Sequence, residues 1–221
     1  GNGPASSNLA SSAIKIFMSQ NKIQKLKEEV GRLRKTLKKR EKELRRARLL
    51  TDYDALTGLY NRRGFISESE KFIKEIQPKE AHAKKRRFHI ENFSIIFIDL
   101  DNLKMVNDSY GHKTGDKFIK MVGSILQEHL RDIDIVARWG GDEFVVGLVN
   151  LNEEQARKVG EKLKKKISLI KISKTKINFG ASFGIVAAKN KKRSILYLSE
   201  LIEKADMAMY EAKREKIKAS S

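Results

Sequence analysis

Between Ile16 and Ala47 the chain contains no proline and repeats every seven residues. Ile16, Ile23, Val30, Leu37 and Leu44 stand seven apart, and Ser19, Leu26, Leu33, Arg40 and Ala47 interleave with them. Alternating steps of three and four form the seam of a coiled coil. Ile, Val and Leu in the first set with Leu at the centre of the second favour a parallel dimer, and Ser19 and Arg40 weaken the ends. One amphipathic helix packed on its own domain is the other reading; the clean pattern through the centre favours the coiled coil. At 1.5 Å per residue the helix is ~45–50 Å long.

The repeat divides the chain. Residues 1–12, rich in Gly, Ser and Ala, read as a tag remnant or disordered tail. Residues 13–50 read as a coiled-coil dimerisation helix, and 51–221 as one domain of ordinary size. The repeat also accounts for charge. Of a net +19, Lys15 to Arg48 holds 14 Lys and Arg against 4 Asp and Glu. Just over half of the excess is therefore the solvated face of one helix. It is a weak sign of a nucleic-acid partner, because neither aromatic interleaving nor a known reader motif accompanies it. Membrane contact is left open by the same charge. No cysteine is present, which removes a disulfide scaffold and any Cys-ligated metal. No apolar run reaches the ~18–20 residues that span a bilayer.

After a polar break at Thr51-Asp52-Tyr53-Asp54, the pattern predicts a helix over 61–76 and a polar loop over 77–91 containing Lys84-Lys85-Arg86-Arg87. FSIIFIDL (93–100) is a buried strand. A short helix over 102–108 and a longer one over 115–130 follow. DIVARW (134–139) and EFVVGLV (143–149) around Gly140-Gly141 form a hairpin. A helix over 152–168, a strand or strand pair over 176–188 and a helix over 195–216 complete an α/β fold: helices on a mainly antiparallel sheet.

The sharpest local cluster is Gly140-Gly141-Asp142-Glu143-Phe144. The glycines allow a tight turn and close approach of a large ligand. Two adjacent carboxylates repel each other unless solvated or bound to a cation. A second acidic pair, Asp99 and Asp101, ends the apolar strand. If that strand neighbours the hairpin, Asp99, Asp142 and Glu143 converge, and hard oxygen ligands favour Mg²⁺ or Mn²⁺ together with phosphates. On spacing alone, two polar strand ends in solvent remain an equal alternative.

Five segments, in order, make the chain resemble the GGDEF family of diguanylate cyclases: DALTGLYNRRGF (54–65), FIDLDNLKMVNDSYGHKTGD (97–116), RDIDIVARWGGDEF (131–144), ASFGIV (181–186) and ADMAMYEAK (205–213). The resemblance spans about residues 52–215. It implies a fold like that of nucleotidyl cyclases and polymerase palms, preceded here by the long helix. It implies an enzyme that condenses two GTP into cyclic di-GMP with loss of two pyrophosphates, working as a dimer in the cytoplasm, alone or as the cytoplasmic part of a longer sensor protein.

Carried onto this chain, the resemblance gives Asp99, the Leu100 carbonyl, Asp142 and Glu143 as ligands of two Mg²⁺ (or Mn²⁺) ions. Asp142 is the candidate general base, and Asp142 and Glu143 are the catalytic carboxylates. Asn107 and Asp116 match guanine-reading positions, which implies GTP. His112 matches the nucleotide pocket, and Lys104 and Lys213 match phosphate contacts. Arg131 and Asp134, an Arg-x-x-Asp pair separated from Gly140 by the five residues 135–139, match the inhibitory product site; read alone they are a surface ion pair. Read alone, Asn107 and Asp116 are helix caps. There are departures. Where the family usually continues Gly-Arg-Asn after Lys213, this chain has Lys216-Ile217-Lys218, so the usual triphosphate arginine is absent. Arg214, Lys216 and Lys218 are nearby substitutes. The alternative to an enzyme is a catalytically impaired domain that acts as a cyclic di-GMP receptor.

Overall fold

The computed structural model describes residues 5–76, 90–172, 175–189 and 197–219. The basic stretch 84–87 lies outside the described residues. The chain divides into two compact units, one ending at Leu50 and the other beginning at Thr51.

The first unit is helical. Helix α1 runs Ala5–Asp52. It therefore starts inside the stretch read as a tail, and its backbone continues through Thr51 and Asp52, where a polar break was expected. Along it the seam is open: Val30 is 45% exposed and Leu33 61%, with Ile23, Leu26, Leu37 and Leu44 between these values.

The second unit contains β1 (Tyr60–Asn61), α2 (Arg62–Ile76), β2 (Asn92–Asp101), α3 (Leu103–Tyr110), α4 (His112–His129), β3 (Ile135–Gly140), β4 (Glu143–Val149), α5 (Glu153–Ser168), β5 (Gly180–Lys189) and α6 (Leu198–Ala219). The strands form one sheet in the order β1-β3-β4-β2-β5. Among the described residues, only the β1–β3 pair is parallel. β1 escaped the sequence reading because two residues carry no period. The region 176–188 resolves to the single strand β5. Before it, Phe179 packs its ring 4.4 Å from that of Phe118 instead of joining a ladder. Among the described residues no helix is long and apolar enough to cross a membrane.

β2 is an interior strand between β4 and β5, buried from Phe93 to Asp101. Both its faces are covered, which explains its near-continuous apolar run. Successive side chains still alternate between faces. Ile96, Ile98 and Leu100, with Phe144, Val146 and Leu148 of β4, join Val106, Phe118, Val122 and Leu126 of α3 and α4 and Leu163 and Ile167 of α5. Phe93, Ile95 and Phe97, with Val145 and Val149, face Phe65 and Ile73 of α2 and Leu198, Leu201, Ala205 and Met209 of α6. The odd-numbered face of β2 thus looks toward α6, and its last two odd residues are Asp99 and Asp101. α6 lies directly on β5 because residue 184 is glycine: a Cβ there would stand 1.9 Å from the Ala205 carbonyl oxygen.

Candidate active site

The β2–β4 register places Asp99 opposite Glu143. Beside them the Leu100 N–H donates to the Asp142 carbonyl at 3.0 Å. The three acids expected to converge thus meet at one end of the β2–β4 pair, next to the Gly140-Gly141 turn. That turn is gripped by Arg138, whose Nη2 and Nε donate to the Gly141 carbonyl at 2.8 and 3.2 Å. The same guanidinium donates through Nη1 to both carboxylate oxygens of Asp54, each at 3.3 Å. Asp54 in turn accepts from the Thr57 hydroxyl at 2.7 Å and its N–H at 2.9 Å. The ladder register shifts between Arg138 and Gly140, a bulge that re-aims the strand end.

Two lysines of α6 reach this acidic end. Lys213 Nζ lies 2.6 Å from Asp99 Oδ1. One turn later Lys216 pairs with Asp101, which also accepts from the Ser182 hydroxyl at 2.9 Å. The charges are under tension. Burial pushes the Asp99 carboxyl up, Lys213 opposes that, and the charges of Asp142 and Asp101 add to it. Burial also raises Glu143, reinforced by Asp142, Asp206 and Asp99. Burial disfavours charge on Lys213, but its hydrogen bond to Asp99 and the surrounding carboxylates win and raise it. Among the described residues, no three His, Cys, Asp or Glu side chains form a set that could hold a metal alone.

Asn107 stands on α3 with its Oδ1 buried and without a hydrogen-bond partner. It presses on the start of α4: a Cβ on Gly115 would come within 2.0 Å of that oxygen. The helices are joined at Gly111, whose φ of 79° needs glycine and whose N–H donates to the Asn107 carbonyl at 2.8 Å. Asp116 follows Gly115 and is exposed, as are His112 at the start of α4 and Lys104 on α3. Neither Asn107 nor Asp116 is the N-cap of its helix; those positions are Asn102 and Gly111.

Arg131 and Asp134 sit apart, at the Val149 end of β4, the opposite end from Glu143. They are more than a surface pair. Arg131 Nη2 lies 2.7 Å from Asp134 Oδ1, and Nε 3.0 Å from Oδ2. Arg131 also donates to the Val149 carbonyl at 2.7 Å, and Asp134 accepts from the Val149 N–H at 3.2 Å. The Asp134 side chain is 2% exposed and that of Arg131 51%. The two line a cleft of about 260 Å³ with Tyr53, Tyr60 and Gln127.

Sequence reasoning did not assign roles to Asp54, Arg138 or Asp101, and named Lys216 only as one of three nearby substitutes for the absent arginine. Asp101 carried a usable signal, two positions from Asp99 on the same strand face. Arg138 and Asp54, separated by 84 residues, carried none.

The profile of the family described as "Diguanylate cyclase, GGDEF domain" matches residues 51–219. Diguanylate cyclase DgcS of Shewanella oneidensis is 34% identical over 161 residues, covering 73% of this chain and 49% of that protein. Cyclic di-GMP phosphodiesterase NbdA of Pseudomonas aeruginosa is 32% identical over 167 residues, covering 75% of this chain and 20% of that protein. The chain thus spans from about a fifth to about a half of the length of these curated relatives. Among solved structures, the coiled coil and GGDEF domain of DgcB from Caulobacter crescentus, in complex with c-di-GMP, superposes with a TM-score of 0.67 at 23% identity. It covers 86% of this chain and 95% of that one. At that identity the likeness speaks to the fold.

Proposed function

Because the chain belongs to the GGDEF family of diguanylate cyclase domains, we propose that it condenses two GTP molecules into cyclic di-GMP and releases two pyrophosphates. The observation that carries this reading is the pairing of Asp99 with Glu143 across β2 and β4, beside a glycine turn and within reach of a lysine.

The donor set suits Mg²⁺ or Mn²⁺. These ions are commonly held by one or two carboxylates completed by substrate phosphates, so no all-protein cage is needed. Asp99, the Leu100 carbonyl, Asp142 and Glu143 would hold two such ions, which supply charge neutralisation at the attacking oxygen and the leaving pyrophosphate. The rest is done by the chain itself. Asp116 accepts from guanine N1–H and N2–H, a pair that adenine does not offer. The buried, unpartnered Oδ1 of Asn107 is matched to a base N–H. His112 lines the nucleotide pocket, and Lys104 and Lys213 bind phosphate oxygens. Asp142 takes the proton from the ribose 3′-hydroxyl. The freed oxygen attacks the α-phosphorus of the facing GTP, the new P–O bond forms, and the bond to the β-phosphate oxygen breaks.

One domain holds one GTP and cannot close the ring. Two must face each other with reacting atoms at ~3–3.5 Å. The open heptad seam of α1 is the surface that pairs two copies in parallel, giving the domains a millimolar-scale effective concentration. The register or splay of the paired helices sets whether the sites meet. Arg131 and Asp134 take the product as an inhibitor, Arg131 turning from Asp134 to a product phosphate or guanine. The domain acts in the cytoplasm, on a nucleotide and not on a nucleic acid.

Incubation with GTP and Mg²⁺, followed by chromatography with and without added cyclic di-GMP, tests the reading. Product that falls as cyclic di-GMP is added is the expected result. A second reading, a cyclic di-GMP receptor, is favoured by Ile217, an uncharged and exposed residue where the family usually has arginine. Product binding without turnover at any protein concentration selects it.

A further inference from the structure

We propose that Lys216 is a further triphosphate-binding cation of this site, acting beside Lys213 on the same helix; the proposal rests on the GTP-binding reading above. Lys213 and Lys216 are three apart on α6, hence on one helix face. Asp99 and Asp101 are two apart on β2, hence on one strand face. The two pairs interlock, Lys213 with Asp99 and Lys216 with Asp101. This ladder brings both ammonium groups to the acidic strand end where the phosphates must lie.

The two rungs differ in a telling way. The Asp101 side chain is 12% exposed, while that of Lys216 is 50% exposed. Asp101 is anchored by the Ser182 hydroxyl and closed in by Gly180, where a Cβ would meet its Oδ2 at 2.8 Å and Lys216 Nζ at 3.2 Å. Asp101 is thus a fixed anchor, and Lys216 is a flexible four-carbon stem that carries a half-open charge from it. An ammonium placed this way turns from carboxylate to phosphate by rotation about its own stem, without moving α6. A triphosphate brings more negative charge than Lys104 and Lys213 together offset. The neighbouring Ile217 contributes none, so Lys216 is the cation that this chain has in place for the outer phosphates.

The test is equilibrium binding of 3′-deoxy-GTP, which lacks the attacking hydroxyl, and of GMP, which lacks the outer phosphates, both with Mg²⁺. Lys216→Met keeps the stem and removes the charge. It should weaken 3′-deoxy-GTP about tenfold or more, as loss of a charge-assisted hydrogen bond does, and leave GMP unchanged. Lys216→Arg should restore affinity. Unchanged 3′-deoxy-GTP binding in Lys216→Met overturns the proposal alone. Equal losses for both nucleotides also overturn it, since they mark a structural role. A wild-type chain that binds neither nucleotide overturns the GTP reading and this proposal together.

Discussion

Arg138 donates to both carboxylate oxygens of Asp54 at 3.3 Å while its other nitrogens hold the Gly141 carbonyl. One largely buried guanidinium therefore ties the first loop of the domain to the glycine turn that carries Asp142 and Glu143. The side chains are 16% and 21% exposed, so the pair is shielded from solvent far more than a surface ion pair.

Removing that tether should cost both stability and turnover. Arg138→Met leaves Asp54 without its cation and the Gly141 carbonyl without its donors. We expect a loss of ~2 kcal/mol in urea unfolding, the scale for a charged hydrogen-bond partner. Cyclic di-GMP formation should fall with it, because the turn no longer holds its acids in place. Unchanged stability would show that the contact is idle.

The same pair sets an acid limit. Burial acts to raise the Asp54 carboxyl, but the Thr57 hydroxyl and N–H and the Arg138 charge outweigh it and hold it below its ordinary 3.8. A carboxyl depressed on folding contributes stability that is complete above its unfolded value and is lost as pH falls through its lower folded value. The stability gap between wild type and Asp54→Asn should therefore be constant from pH 7 down to about 5 and shrink below about 4. Urea unfolding at stepped pH measures it; a gap that widens toward acid contradicts the assignment.

Glu143 illustrates a conflict between stability and function. Burial and three neighbouring carboxylates raise its carboxyl, so its charge is held against electrostatic cost. Glu143→Gln should abolish turnover yet leave the melting temperature equal to or above that of wild type. Product chromatography and thermal unfolding on the same preparation decide. Persisting turnover removes Glu143 from the catalytic set.

The stalk prediction separates folding from pairing. Leu33 and Leu37 are 61% and 60% exposed on a single α1. Aspartates there cost an isolated helix little but place charge in a paired seam. The double variant Leu33→Asp, Leu37→Asp should sediment as a monomer, and its turnover per domain should rise with protein concentration. Dimerisation and turnover both intact would refute the pairing of copies through this seam.

What the sequence determined about this protein is what short-range periodicity and local chemistry can carry. A sevenfold repeat is visible as a helix with an apolar seam. The unbroken apolar run of β2 is visible as a buried strand, and two glycines between β-rich runs as a hairpin. The ordered motifs pointed to a family, and through it to Asp99, Asp142, Glu143 and Asn107. The tertiary structure decided which residues serve those acids. Lys213 meets Asp99 across 114 residues, Lys216 meets Asp101 across 115, and Arg138 meets Asp54 across 84. No spacing rule joins such pairs. The two lysine pairs exist because β2 lies between β4 and β5, because residue 184 has no side chain to hold α6 off the sheet, and because strand parity turns 99 and 101 toward that helix; the Arg138–Asp54 pair accompanies the pairing of β1 with β3, which sets Asn61 opposite Arg138. A lone lysine in a sequence is a solvated charge; only packing makes it the partner of a buried acid.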